Sequence, residues 1–261
     1  MRPTLLQFGD ITVPSFFFLM MLSALLAIFY GQHVANKEKA DSVCMFDIGI
    51  ISILVALIGG RLLHVFVEYP AYYFENPVRV LYFWQGGFAS IGSFILTPLA
   101  WIVYLKRRKL DIPRYFDIAT LVAPIVLLGV RTGCLMVGCC YGKPTDFFLH
   151  LIFSHPASTA ARFHPGVALH ATQAYFMLSA VLAFILLSVV YRKRKFYGQV
   201  SAVFLIYYGF ARFFIEFLRG DADRGMFFNG TVSVGQIAMF FSVAIGVTIW
   251  AYCRTRKPIV K

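Results

Sequence analysis

The chain has 261 residues, of which 59% are hydrophobic and only 14% charged. A water-soluble globule carries roughly 25% charged residues, so this composition, with its mean hydropathy of +0.73, excludes a soluble enzyme and implies a membrane protein. The formal net charge of +12 calls for no nucleic acid: in a membrane chain, basic residues mark loop topology and attract anionic lipid headgroups.

A spanning helix takes about 20 mostly apolar residues, and only helices or closed barrels satisfy their backbone in lipid. The apolar runs are long and do not alternate, which excludes a barrel. Seven runs qualify, and they predict an all-α polytopic membrane protein with one membrane-embedded domain over 1–261. The first, 13–33, has too long an apolar core for a signal peptide and no small-x-small cleavage site, so it reads as an anchor; Phe16, Phe17 and Phe18 give its start an interfacial character. The second, 46–67, carries Arg61 and His64, with Glu68 just beyond. The third, 86–105, is entered through WQGGFASIGS (84–93), where Gly86, Gly87 and Gly92 allow close approach of backbone, helix or lipid. The fourth, 116–138, holds Arg131 in VRTGCLMVGCCYG (130–142). The fifth, 171–191, opens in LHATQAY (169–175) with His170, Thr172 and Gln173. The sixth, 198–218, contains Arg212 and Glu216 and turns out through EFLRGDADRG (216–225). The seventh, 231–252, leads to a basic tail.

With seven spans, loops 34–45, 106–115 and 192–197 and the tail fall on one side. They hold fifteen Lys and Arg residues, against six on the other side: Arg2, Arg79, Lys143, Arg162, Arg219 and Arg224. The positive-inside rule places the N-terminus outside and the C-terminus in the cytoplasm. Arg61, Arg131 and Arg212 then lie at similar depth near the outer ends of three spans. An ionisable group at membrane depth is costly and marks function by default. Three guanidiniums gathered together need an anion, and the planar fork of arginine suits phosphate, so the pattern points to a phospholipid headgroup site facing outward. The plainer reading is local pairing, Arg212 with Glu216 and His64 with Glu68, each at i,i+4.

Three thiols, Cys134, Cys139 and Cys140, share this outer end. Buried cysteines commonly pack as small apolar groups. A bridge from Cys134 to Cys139 or Cys140, metal binding with His150, His155 or His164, and a nucleophilic cysteine stay open beside that reading, although the spacing matches no standard zinc pattern.

Taken in order, the arginine turn ending the fourth span, His-x-x-Gln-x-Tyr at the start of the fifth and Arg-Phe-Phe-x-Glu-Phe-x-Arg in the sixth resemble the prolipoprotein diacylglyceryl transferase family, over nearly the whole chain. The resemblance matches Arg131, Gly138 and Gly142 to the family's arginine-glycine signature, Arg212 and Glu216 to its sixth-span pair, His170 and Gln173 to its His-Pro-x-Gln motif, with Ala171 for proline, and Arg61 to its second-span arginine. It implies transfer of the diacylglyceryl group of phosphatidylglycerol to the lipobox cysteine thiol of a prolipoprotein, with release of glycerol phosphate. It further implies a bacterial cytoplasmic (inner) membrane enzyme of lipoprotein biosynthesis. Its active site would face the periplasmic side, its partners would be phosphatidylglycerol, the prolipoprotein signal peptide and membrane lipids, and it would need no cofactor and no metal.

On that reading Arg131, Arg212, Glu216 and His170 are catalytic. Arg61, Arg131, Arg212, Gly86, Gly87, Gly138, Gly142 and Gln173 hold the headgroup, and His64 or His170 is the base, or Glu216 if it is not tied to Arg212. The departures are specific: Ile91 stands where members carry a third-span histidine, Cys134 for an asparagine, Cys139 for an acidic residue, Phe176 for a glutamate, and Phe16 or Phe17 for a tyrosine. They keep open a relative with the same phospholipid site and a different acceptor, or a non-catalytic lipid binder.

Overall fold

The computed structural model describes residues 2–8, 11–82, 87–221, 225–227 and 232–255. Gly86 and Arg224, both singled out from the sequence, lie outside the described residues, as do the tail residues Arg256, Lys257 and Lys261.

A helix stands at each of the seven apolar runs. In chain order the elements are β1 (Thr4–Phe8), β2 (Ile11–Pro14), α1 (Ser15–Lys37), α2 (Ser42–Leu63), α3 (Pro70–Glu75), α4 (Ser90–Arg107), α5 (Ile112–Val137), β3 (His150–Ile152), α6 (Thr159–Phe163), β4 (Ala168–His170), α7 (Thr172–Lys193), α8 (Gln199–Glu216), β5 (Met226–Phe227), β6 (Val232–Ser233) and α9 (Val234–Arg254). A π-helical turn, His64–Glu68, continues α2, and a 3₁₀ turn, Pro77–Leu81, follows α3. Five helices are long and apolar enough to cross a membrane: α1, α2 with its π turn, α5, α7 and α9. The chain is therefore a mostly helical, multi-pass membrane protein. α4 and α8, at 18 residues each, are not among the five; α8 spends part of its length on Arg212 and Glu216.

The all-α expectation needs one correction. Three two-stranded antiparallel sheets, β1-β2, β3-β4 and β5-β6, occupy the connections. Their strands run two to five residues, too short to leave an alternating pattern in the sequence.

The chain divides into two compact units, residues 1–30 with 116–261, and residues 31–115. In the smaller unit α2 packs on α4 through a glycine contact: a Cβ at Gly59 would stand 3.0 Å from the Gly92 carbonyl oxygen, and one at Gly92 would strike the Gly59 carbonyl. Small residues at such crossings let helices meet backbone to backbone. The Asp41 carboxylate caps α2 by accepting from the Val43 and Cys44 amides at 2.9 and 3.1 Å.

In the larger unit Gly209 and Gly246 play the same part between α8 and α9. The start of α8 is held by the fully buried Asp117 of α5. Its carboxylate accepts from the Gly198 amide at 2.8 Å and from the Ser201 amide and hydroxyl, both at 3.0 Å. A carboxylate at a helix N-terminus is favoured by the helix dipole as well as by the bonds. α9 begins with a reciprocal cap, Ser233 and Gln236 each bonding the other's backbone. Leu26, Phe29, Leu182, Ile185, Phe240 and Phe241 are exposed on the helix faces, an apolar surface suited to lipid rather than water.

Candidate active site

α5 ends in a glycine cap. Gly138, at φ +73°, takes the left-handed conformation that closes a helix, its amide donating to the Cys134 carbonyl at 2.8 Å. A Cβ there would collide with the Ser158 hydroxyl. The chain then runs through Cys139, Cys140 and Tyr141 and is fixed by main-chain bonds. The Lys143 amide donates to Leu218 at 2.8 Å, Gly220 to Tyr141 at 3.0 Å, and His170 to Lys143 at 3.0 Å. Gly142 lies 2.5 Å from the His170 carbonyl oxygen at the position its Cβ would occupy, so this crossing admits only glycine. Two α7 side chains complete the support: Thr172 donates to the Cys140 carbonyl and Gln173 to the Cys139 carbonyl, each at 2.7 Å.

This path sets the α5 arginine against α7 and α8. Arg131 is buried, and its guanidinium carbon lies 4.0 Å from the centre of the Phe176 ring; that of Arg212 lies 5.6 Å from the same ring. Glu216, 3% exposed, pairs with Arg212 at 3.9 Å and with Arg219 at 3.4 Å, and its other oxygen accepts from Ser233 at 3.3 Å. Arg219 also grips Asp221 with two parallel bonds, Nε to Oδ1 at 3.0 Å and Nη2 to Oδ2. Burial works against the charge on Arg219, but Asp221, Cys140 and Glu216 outweigh it and hold the guanidinium firmly protonated. Among the described residues no carboxylate pairs with Arg131. With Leu127, Phe176, Ser179 and Tyr208 it lines a small cavity between α5, α7 and α8. Gln173, fully buried one turn before Phe176, keeps its Oε1 without a hydrogen-bond partner among the described residues.

Arg131, Arg212, Glu216, Gln173, Gly138 and Gly142 are thus brought together. Arg219 joins them. The sequence reading has it as the last residue of Arg-Phe-Phe-x-Glu-Phe-x-Arg and as a loop charge, without a place in the headgroup site, although its i,i+3 spacing from Glu216 is a signal for one. His170 stands apart: its Nδ1 is 3.3 Å from the Tyr175 hydroxyl, and it lines a separate groove of ≈ 350 Å³ with Phe147, Tyr175, Phe214, Ile215 and Leu218. Glu216, as the partner of two guanidiniums, is no free base.

The smaller unit accounts for Arg61, His64 and Gly87. Arg61 is buried and, among the described residues, donates to the backbone carbonyls of Val80 at 3.1 Å, Gly87 at 3.1 Å, Arg79 at 2.6 Å and Tyr82 at 3.3 Å. Its fork organises the described part of the connection into α4. Gly87, at φ +79°, lets the backbone lie against Arg61 and His64, where a Cβ would meet the histidine ring at 2.6 Å. His64 Nδ1 is 2.6 Å from Glu68, the local pair anticipated at i,i+4.

The sulfurs of Cys134, Cys139 and Cys140 all lie within 4.8 Å of one another, and all three thiols are free. The Cys139 thiol is pushed up by hydrogen bonding to Cys134 and Cys140. Cys140 is pulled well below the usual thiol range by bonds from Cys134 and Cys139, and then by the charges of Arg131 and Arg219. His150, His155 and His164 are not part of this cluster.

The sequence profile of the prolipoprotein diacylglyceryl transferase family matches residues 3–252. The chain belongs to that family. It is 29% identical to the phosphatidylglycerol–prolipoprotein diacylglyceryl transferase of Clostridium tetani, with 98% of this chain and 100% of the relative aligned. The enzyme of the same name from Nitrosospira multiformis is 30% identical over 98% of this chain and 88% of its own length. That of Verminephrobacter eiseniae is 32% identical over 82% and 76%.

Proposed function

We propose that this chain transfers the diacylglyceryl group of phosphatidylglycerol to the thiol of a prolipoprotein lipobox cysteine, releasing glycerol phosphate. The observation that carries the reading is Arg131: a buried guanidinium with no carboxylate of its own among the described residues, beside two arginines that already share Glu216. Among the described residues, three guanidiniums, Arg131, Arg212 and Arg219, gather around Glu216 and Asp221, a cluster rich in positive charge that suits a phosphodiester anion.

As the C–O bond breaks, negative charge grows on the phosphate, and fixed guanidiniums in a water-poor site stabilise that change without reorganising. Arg131 contacts the phosphate. Arg212 and Arg219 supply the field, oriented by Glu216, and the open Oε1 of Gln173 accepts from a hydroxyl of the headgroup glycerol. His170 lines the separate apolar groove, which suits an acyl chain, rather than the phosphate contact.

The topology belongs to the same proposal: seven spans in one membrane domain, N-terminus outside, C-terminus in the cytoplasm of a bacterial inner membrane, and the site toward the periplasm. The fifteen-to-six asymmetry of basic residues and the helix at each apolar run support it. The test is purified protein in detergent with phosphatidylglycerol and a lipobox peptide, read by mass spectrometry. The expected product is peptide heavier by one diacylglyceryl unit, together with glycerol phosphate. Lipid bound without product would overturn the transfer and leave a phospholipid-binding protein.

A further inference from the structure

The proposed transfer uses none of the three thiols beside its arginines, yet the fold gathers them at the end of α5. Gly138 turns the chain back, so that the Cys139 amide donates to the Cys134 carbonyl at 3.1 Å. The sulfurs of Cys134, Cys139 and Cys140 come within 4.8 Å of one another. Cys140 holds φ +57°, a left-handed conformation unusual for a residue with a side chain. A cysteine that serves only as a small apolar filler needs neither the gathering nor that backbone. Cys134 is buried, but Cys139 and Cys140 are only half-buried, open to a small solute.

The three thiols are not equivalent. Reactivity follows the thiolate. Cys140 is drawn toward that form by hydrogen bonds from Cys134 and Cys139, and then by the charges of Arg131 and Arg219. Cys139 is pushed the other way by its bonds to Cys134 and Cys140. Residues 139 and 140 are adjacent, with Cα atoms about 3.8 Å apart, short of the roughly 4.4–6.8 Å that a disulfide usually spans. The partner within reach of Cys140 is therefore Cys134. A half-exposed thiolate with a second thiol placed to close on it is the arrangement of an oxidation-sensing pair.

We propose that Cys140 and Cys134 form a reversible disulfide when the protein meets a hydroperoxide, and that the closed form performs the transfer more slowly. The Cys140 thiolate attacks one oxygen of hydrogen peroxide; the S–O bond forms, the O–O bond breaks, and the product is a sulfenic acid and hydroxide. Hydroxide takes the proton of Cys134, giving water. The Cys134 sulfur then attacks the Cys140 sulfur; the S–S bond forms, the S–O bond breaks, and a second hydroxide leaves. The two sulfurs give up two electrons in all, and the peroxide takes them. A dithiol reverses the bridge by exchange and is itself oxidised. Closure reaches the site through the backbone. Sulfurs up to 4.8 Å apart have to come to about 2.0 Å, which pulls on a turn whose Cys139 and Cys140 carbonyls are held by Gln173 and Thr172 at 2.7 Å. Gln173 is the side chain given above to the headgroup glycerol. The bridge stands on the cysteine geometry alone; its effect on rate rests on the transfer proposed above.

The experiment takes the reduced full chain in detergent, adds hydrogen peroxide, and counts thiols after denaturation beside mass spectrometry of the peptide that holds all three cysteines. Wild type should lose two of its five thiols, with that peptide lighter by about 2 Da, and dithiothreitol should restore both. Cys139→Ser, Cys44→Ser and Cys253→Ser should still lose two thiols. Cys134→Ser should instead gain oxygen on Cys140, and Cys140→Ser should keep its remaining thiols. A wild type that keeps all five, which needs no variant to see, or a Cys140→Ser protein that still closes a bridge, would overturn the proposal. In the lipobox-peptide assay the wild-type rate should fall about tenfold on oxidation and return on reduction, with Cys140→Ser indifferent to peroxide. A bridge at unchanged rate would overturn the switch. A bridge in a protein that makes no product in either state would sink the transferase reading and leave the disulfide standing.

Discussion

The guanidinium of Arg131, on α5, rests 4.0 Å from the centre of the Phe176 ring on α7, the ring that Arg212 approaches from α8 at 5.6 Å. The ring is approached by both guanidiniums and helps to orient them, since a cation over an aromatic face is attracted by about 0.5–2 kcal/mol. Arg131→Ala removes the donor to the leaving phosphate, and transferase activity should fall by about 10²–10³-fold with the protein still inserted in the membrane. Phe176→Leu keeps an apolar group and loses only the orientation, for a drop of about 3- to 30-fold. Rates in the detergent assay check both; wild-type activity in Arg131→Ala would sink the phosphate contact.

Glu216 holds two arginines at once, Arg219 buried and Arg212 partly so, so removing it costs more than removing either partner. Glu216→Ala should destabilise the protein by about 3–5 kcal/mol, because Arg212 and Arg219 then lose the carboxylate they share. Arg212→Ala leaves Glu216 paired with Arg219 and should lower the melting temperature less. Thermal unfolding of both variants in the same detergent settles the order.

Gly142 and Gly166 make a controlled pair. An alanine at 142 drives a methyl group into the backbone of His170, so Gly142→Ala should disrupt the 138–144 connection and abolish activity. Gly166 has a positive φ of +71° but nothing within 4 Å of its would-be Cβ. Gly166→Ala should cost only about 1 kcal/mol of backbone strain. Equal effects of the two substitutions on yield and melting would contradict the crossing geometry.

Arg61 tests the distinction between organising and binding. Its four carbonyl acceptors are spread around a planar fork, a set that one ammonium group cannot reach. Arg61→Lys, which keeps the charge, should behave like Arg61→Ala. Both should show faster amide hydrogen exchange across residues 79–82 and 87–89. A phosphate contact alone would instead let lysine retain much of the activity.

Hydropathy was enough to locate every long helix, because a membrane helix advertises itself through some twenty consecutive apolar residues. Arg131, Arg212 and Glu216 were legible for a related reason: a charge inside such a run has few bland explanations. Arg219 was legible as the end of the sixth-span motif but not as part of the site, because it falls three residues past Glu216 in what composition presents as a loop, and the fold turns it inward. The task of Arg61 was hidden as well. Its acceptors are main-chain carbonyls 18 to 26 residues away, and carbonyls have no sequence signature. The gathering of Cys134 with Cys139 and Cys140 depends on the glycine cap at Gly138, which folds the chain back over the end of α5.

The main-chain crossing of residues 141–144 against Leu218, Gly220 and His170 also bears on how such a site changes over generations. Shape there is stored in amides, carbonyls and two glycines, and the bonds from Thr172 and Gln173 end on carbonyl oxygens. None of these contacts depends on which side chains positions 139 and 140 carry. A lineage can therefore exchange those side chains, and with them its response to oxidants, while the loop and its neighbouring arginines stay in register.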